Sequence, residues 1–166
     1  AHFFNAGYRT KRLTPAGPDH AQIAACAGIA DYVDALYDHH FDEVASPAVR
    51  TAAVTAMKRA HEIQTLAPLL DFLANRDNVR ILGNASIGNN ARRVPTVALD
   101  TKKPAEEVAD ALATHGIMAG AGDFYALRTI GAMGCDKDAG VLRLSFVHYT
   151  TDAEVAKLMT ALDATL

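Results

Sequence analysis

The spacing of apolar residues changes once along this chain, near Asn78, and that change restricts the folds it can adopt. Before Asn78, apolar residues recur every three or four positions, as on one face of a helix. After it come short β-rich runs at residues 79–82, 94–99 and 141–147, separated by helical patterns. These strands are too few for a doubly wound parallel sheet. We therefore predict an α+β fold, in which two long helices precede a small antiparallel or mixed sheet with helices packed on one face.

Two helical segments make up the first part of the chain. The apolar spacing over residues 23–40 predicts an amphipathic helix, and Pro47 is placed as the first helical residue of a longer one. Pro68 should kink or break that second helix. We expect residues 1–77 to form an N-terminal segment with connecting helices and residues 78–166 to form a small α+β domain. Together they would be one structural unit, a fragment of a longer chain.

The second part of the chain contains further helix and strand signals. Residues 104–116 have the pattern of a helix, residues 117–119 of a short strand and residues 124–133 of a weak helix. Thr151 and Glu154 form the sequence of a capping box, which predicts the start of the last helix.

Composition excludes several classes of function. The chain has 166 residues, 50% of them hydrophobic, and a net charge of −3. A chain of this size buries roughly 70% of its unfolded surface and needs no disulfide to hold a core. Its basic residues are scattered rather than clustered, which argues against a nucleic-acid partner. Because no apolar run approaches the roughly 18 residues that span a bilayer and no secretory signal is evident, we expect a cytoplasmic protein without a membrane partner.

Arg143 is the first candidate site residue. Strand alternation places Leu142 and Leu144 on one face and Arg143 with Ser145 on the other, away from the core. A guanidinium in mid-strand suits a carboxylate or phosphate, because its planar fork donates two parallel hydrogen bonds. A solvated arginine on a half-exposed sheet explains the same pattern, so both interpretations stay open.

Other polar clusters give weaker signals. The glycine-rich residues 116–122 would let a ligand approach the backbone, or they form an ordinary turn. Adjacent His39 and His40 point about 100° apart on a helix and cannot easily share a metal ion, so no metal site is expected. Cys135 lies in a turn where we expect it to be exposed enough to react, although no adjacent base would activate it.

The order of five segments resembles the C-terminal part of class V aminotransferases, the pyridoxal-phosphate (PLP) family that includes cysteine desulfurases and selenocysteine lyases. Residues 93–97 (RVPTV) resemble the family's Arg-x-Pro strand, and residues 141–145 (VLRLS) its Arg-x-Ser strand. Residues 148–154 (HYTTDAE) resemble its Tyr-Asn-Thr-x-x-Glu helix start. Residues 14–24 (TPAGPDHAQIA) stand where the family has a Gly-Thr turn, and residues 122–126 (GDFYA) resemble the Gly-His-Phe-Tyr-Ala stretch of a desulfurase-like branch.

This resemblance implies roles for particular residues. Arg143 would bind the α-carboxylate of an amino-acid substrate, and the loop from Gly120 to Tyr125 would line the pocket, with Tyr125 as its substrate-binding residue. The Gly17 turn would approach the PLP phosphate of a neighbouring subunit in a homodimer. Since Pro18 replaces the family's threonine, Thr14 or backbone amides would supply the hydrogen bond.

Two departures limit the chemistry expected of this piece. Tyr125 stands where persulfide-forming desulfurases have a nucleophilic cysteine, so transamination, β-elimination or racemisation remains open. No lysine lies in the context of the family's Schiff-base lysine, which we expect in an upstream PLP-binding domain of the same chain. The isolated piece should then be inactive and hold no PLP tightly. The alternative is a free-standing, non-catalytic α+β binding or regulatory module.

Overall fold

The computed structural model describes residues 7–9, 19–87 and 93–166, and the chain divides into two compact units, 1–56 and 57–166. The helices of the first unit are α1 (His20–His40) and the beginning of α2 (Pro47–Ala74). The second unit contains the rest of α2 and everything that follows. The domain boundary predicted at residues 77 and 78 falls where helix gives way to strand, and it stays a prediction.

In the first unit, an arginine on α2 forms ion pairs with two aspartates of α1. Arg50 donates to the carboxylates of Asp34 and Asp38 at 3.0 and 2.7 Å, and its guanidinium carbon lies 4.8 Å from the ring centroid of Tyr37. Tyr37 is the buried residue of α1. Only part of the apolar face of α1 is therefore buried within this unit. Its exposed large apolar side chains are Ile23, Ile29 and Tyr32.

Helix α2 continues through Pro68, so the predicted break is wrong. Pro68 itself is exposed, while leucines on either side of it are buried in the core of the second unit. Burying each leucine contributes roughly 1.5–3 kcal/mol to the stability of the fold. The four leucines together offset the cost of about 3 kcal/mol for a proline in a helix interior. The buried leucines are Leu66, Leu69, Leu70 and Leu73.

The second unit is built on a four-stranded sheet in which every neighbouring pair is antiparallel. This confirms the predicted α+β class with a small antiparallel sheet. Its elements are β1 (Val79–Leu82), β2 (Thr96–Thr101), α3 (Ala105–Thr114), β3 (Gly120–Gly122), α4 (Leu127–Ala132), β4 (Val141–Ser145) and α5 (Asp152–Thr165). The strand order is β1-β2-β4-β3, so the last strand in sequence lies inside the sheet. The third strand falls at residues 120–122 rather than at the predicted 117–119.

The two faces of the sheet differ in what covers them. Val97 pairs with Leu144 and Leu99 with Leu142, so these four side chains share the face that contacts α2, α3 and α5. The predicted packing of helices on one face holds for these three. Helix α4 instead contacts the opposite face through a small cluster. That cluster consists of Ile130, Cys135 and Val141, with Leu82 and Phe124 against it.

The end of the sheet at β3 requires glycine. Gly140 has φ of +67°, and a Cβ built there would lie 2.9 Å from the Cα of Gly122. That distance is shorter than real Cβ contacts allow, and the atom it meets is backbone, which cannot move aside cheaply. The chain can therefore turn into β4 beside β3 only because residue 140 has no side chain.

No helix within the described ranges is both long enough and apolar enough to cross a membrane.

Candidate functional site

Arg143 occupies the middle of β4, between two buried leucines. Its Cα is paired with Ala98 on β2 and with Gly120 on β3, and its side chain is on the face opposite the main core. The residue is exposed, as the alternation predicts. A central strand thus presents a fixed positive charge on the more open face of the sheet.

The guanidinium of Arg143 stacks on an aromatic ring. Its Cζ lies 4.2 Å from the ring centroid of Phe124, within the range of a cation–π interaction. Gly120 leaves the space that this pair needs: a Cβ at Gly120 would lie 3.1 Å from Cζ of Phe124 and 3.6 Å from Nη2 of Arg143. Strand pairing, the glycine and the ring together define where the arginine lies.

The loop that carries the ring has an unusual backbone. Phe124 and Tyr125 have φ of +49° and +57°, a left-handed conformation that costs on the order of 1 kcal/mol for a non-glycine residue. Asp123 stabilises it, because its Oδ1 accepts a hydrogen bond from the Tyr125 amide at 2.9 Å. Phe124 contacts Arg143, while the side chain of Tyr125 is fully exposed. Of these two adjacent aromatic residues, Phe124 thus lies against the arginine and Tyr125 lies in solvent.

Arg143 has no acidic partner within the described part of the chain. Three other arginines, Arg50, Arg76 and Arg80, each form an ion pair with an aspartate. Neither a hydrogen bond nor an ion pair links Arg143 to any described residue, so its donors remain available to an external anion. Sequence reasoning singled out Arg143 and the loop from Gly120 to Tyr125, but it did not predict the contact between Phe124 and the arginine. Only the pairing of β3 with β4 brings the Phe124 ring to the arginine.

Cys135 is buried, so the expectation that it is exposed enough to react is wrong. It is 7% exposed, packs with Ile130 and Val141, and its Sγ accepts a hydrogen bond from Nη2 of Arg80 at 3.3 Å. Burial raises the pKa of the Cys135 thiol, and the negative charge of Asp100 raises it further. The thiol is therefore protonated and shielded at neutral pH.

Arg93, from the segment that resembles the Arg-x-Pro strand, has a structural role. Its guanidinium donates to the carbonyl oxygen of Asn84 and, at 3.1 Å, to that of Thr96. Burial lowers its pKa. The side chain joins the chain after β1 to the start of β2.

Lysines with defined contacts are engaged away from Arg143. Nζ of Lys103 donates to the carbonyl oxygen of Thr165 at 2.6 Å, and Nζ of Lys157 lies 3.4 Å from that of Gly116. Thr14 and Gly17, the residues predicted to approach the cofactor phosphate, lie outside the described residues. Within residues 7–9, 19–87 and 93–166, no group of three or more His, Cys, Asp and Glu side chains is placed to hold a metal ion.

Comparison with known proteins decides the family. The family model described as aminotransferase class-V matches residues 48–158, most of the chain. The chain belongs to the class V aminotransferase family. A curated relative, the aminotransferase-like protein FGM3 of Gibberella zeae, is 31% identical over 110 residues, which are 64% of this chain and 27% of that protein.

Solved structures of class V aminotransferase relatives share the fold. A NifS-like protein from Rickettsia africae matches with a TM-score of 0.55 at 20% identity, over 72% of this chain and 31% of the other. The cysteine desulfurase CsdA from Escherichia coli matches with a TM-score of 0.54 at 23% identity, over 74% and 32%. The chain thus spans about a third or less of the length of these relatives.

PLP is the cofactor of the class V aminotransferase family, in which it serves as an electron sink for carbanion chemistry. The described residues do not fit it by themselves. They present an arginine suited to a carboxylate, but no lysine in the sequence context of the family's Schiff-base lysine, and the amino groups of Lys103 and Lys157 contact backbone carbonyls. What this chain's own residues can do is bind and orient a carboxylate at Arg143.

Proposed function

We propose that this chain is the C-terminal domain of a PLP-dependent class V aminotransferase-like enzyme, in which Arg143 binds the α-carboxylate of an amino-acid substrate. The observation that carries the proposal is the state of Arg143, which is exposed on a central strand and free of acidic partners among the described residues. A guanidinium binds a carboxylate through two parallel N–H···O bonds, and the fork of Arg143 is available for both.

We assign the remaining parts of the site from the chain's resemblance to the family. Tyr125, next to the ring that contacts Arg143, would line the substrate pocket. Thr14 and Gly17 would approach the cofactor phosphate of the other subunit in a homodimer. An upstream domain of the same chain would supply the Schiff-base lysine, and the enzyme would work in the cytoplasm. The isolated chain is expected to be inactive.

The cysteines bear on the type of reaction. Cys135 is buried with a raised pKa, and the aromatic Tyr125 stands in the loop where persulfide-forming desulfurases have their nucleophile. Together with the family resemblance of this loop, these observations favour transamination, β-elimination or racemisation of an amino acid over sulfur transfer through a persulfide on Cys135.

Steady-state kinetics of the full-length protein test the role of Arg143. In Arg143→Ala, KM for the amino acid should rise by roughly 10- to 100-fold, the loss expected for a charge-assisted bidentate contact, while PLP content stays unchanged. Arg143→Lys should recover only part of the affinity, because an ammonium cannot form the planar fork.

Arg80→Ala is the matched control. Arg80 lies on the same face of the sheet but pairs with Asp100, so its removal should leave KM unchanged. Loss of PLP with unchanged substrate affinity in Arg143→Ala would contradict the proposed role. A full-length protein without PLP would favour the alternative of a non-catalytic module.

A further inference from the structure

Phe124 contacts Arg143 in a way that restricts the arginine's freedom. An exposed arginine on a strand ordinarily samples many rotamers, and a ligand must select one of them. Here Cζ of Arg143 lies over the Phe124 ring, 4.2 Å from its centroid. A carboxylate then approaches from the side that the ring leaves open, and its two parallel hydrogen bonds lie in the plane of the paired N–H donors.

The position of the ring is itself fixed from two sides. The left-handed backbone at Phe124 and Tyr125 is held by the hydrogen bond from the Tyr125 amide to Asp123. On the sheet, Gly120 lies opposite Arg143 and has no side chain to displace the ring. The left-handed loop and the glycine on β3 therefore both keep the Phe124 ring in contact with Arg143.

We propose that Phe124 is a positioning residue that orients Arg143 for an in-plane, bidentate contact with the substrate carboxylate. The proposal rests on the function proposed for Arg143 and deepens it. The ring adds no hydrogen bond of its own. It acts by reducing the number of arginine conformations that must be given up when the carboxylate binds.

Phe124→Leu in the full-length enzyme is the first test. The substitution keeps apolar bulk but removes the aromatic face, so KM should rise by about two- to fivefold, the equivalent of one exposed cation–π contact, with kcat and PLP content unchanged. The matched control is Phe72→Leu, because Phe72 stacks on Arg76 at 4.1 Å in a similar pair. That control should leave KM as it is.

Two further variants separate positioning from a general effect on folding. Gly120→Ala should raise KM similarly, since the new Cβ would push the ring away from Arg143. In Phe124→His, a neutral imidazole keeps the stack at about pH 8, whereas a protonated ring repels the guanidinium near pH 5.5. Relative to the wild type, KM should therefore rise as the pH falls, a change that loss of packing alone would not produce.

A double-mutant cycle completes the test. In an Arg143→Ala background, Phe124→Leu should have no further effect on KM. A rise in KM of the same size in both backgrounds would overturn the positioning role, as would an unchanged KM in Phe124→Leu when Arg143→Ala raises it. An unchanged KM in Arg143→Ala would instead refute the proposed function itself.

Discussion

At the scale of single residues, Thr151 determines how α5 begins. Its hydroxyl accepts from the Glu154 amide at 3.2 Å, and the Glu154 carboxylate accepts from the Thr151 amide at 2.8 Å. Thr151→Ala should lower the free energy of unfolding by about 1 kcal/mol in urea titrations. Thr160→Ala, an exposed threonine in mid-helix, should change it by less than about 0.5 kcal/mol, and an equal loss in both variants would contradict the capping role.

The same cap predicts a pH dependence. The hydrogen bond from the Thr151 backbone amide lowers the pKa of Glu154 below its ordinary value of 4.5. Because the folded-state pKa is depressed, this contribution is present above pH 4.5 and is lost as pH falls through the folded-state pKa. Glu154→Gln should therefore show a smaller loss of stability on acidification than the wild type. Parallel curves for the two proteins would contradict this.

The two cysteines should differ in reactivity. Cys26 is exposed, whereas Cys135 is buried with a raised pKa. Under native conditions a thiol reagent should modify Cys26 at least about tenfold faster than Cys135, and both should react at similar rates in denaturant. Mass spectrometry of the labelled peptides gives the two rates. Rapid native labelling of Cys135 would contradict its placement beside Arg80.

At the scale of elements, the strands with apolar side chains were predictable and the glycine strand was not. Alternation over residues 141–147 identified β4 and the exposed side of Arg143 correctly. β3 consists of Gly-Ala-Gly, which has no alternation to detect, and its place is defined by pairing with β4. Cys135 was misjudged for a related reason. Its burial depends on packing against Ile130 and Val141 and on Arg80, which is 55 residues away in sequence.

Pro68 offers a test of how packing overrides local preference. It lies exposed inside α2 and cannot donate a hydrogen bond to the helix. Pro68→Ala should raise the free energy of unfolding by roughly 1–3 kcal/mol, because it restores that bond without disturbing the buried leucines. Gln64→Ala, at an exposed position one turn earlier, should have an effect below about 0.5 kcal/mol. Destabilisation by Pro68→Ala would show that α2 needs the proline's geometry.

At the scale of the whole molecule, the chain should not form a complete cofactor site alone. Adding PLP at a concentration equal to the protein and reducing with borohydride should leave most of the chain without a covalent adduct, because no lysine of the sequence stands in the context of the family's Schiff-base lysine. Intact mass spectrometry measures the adduct. A homogeneous one-to-one adduct at a single lysine would contradict the expected division of the active site.

The strand order has a consequence for how the molecule is made. β4 is the last strand in sequence, yet it lies between β2 and β3, and α5 follows it with Leu158 and Leu162 in the core. A chain emerging from the ribosome can pair β1 with β2 early but cannot close the sheet before residues 141–145 appear. Until then the apolar faces of β2 and α3 lack the cover that Leu142, Leu144 and α5 provide. Slow or interrupted translation before residues 141–145 should thus leave a nascent protein dependent on chaperones.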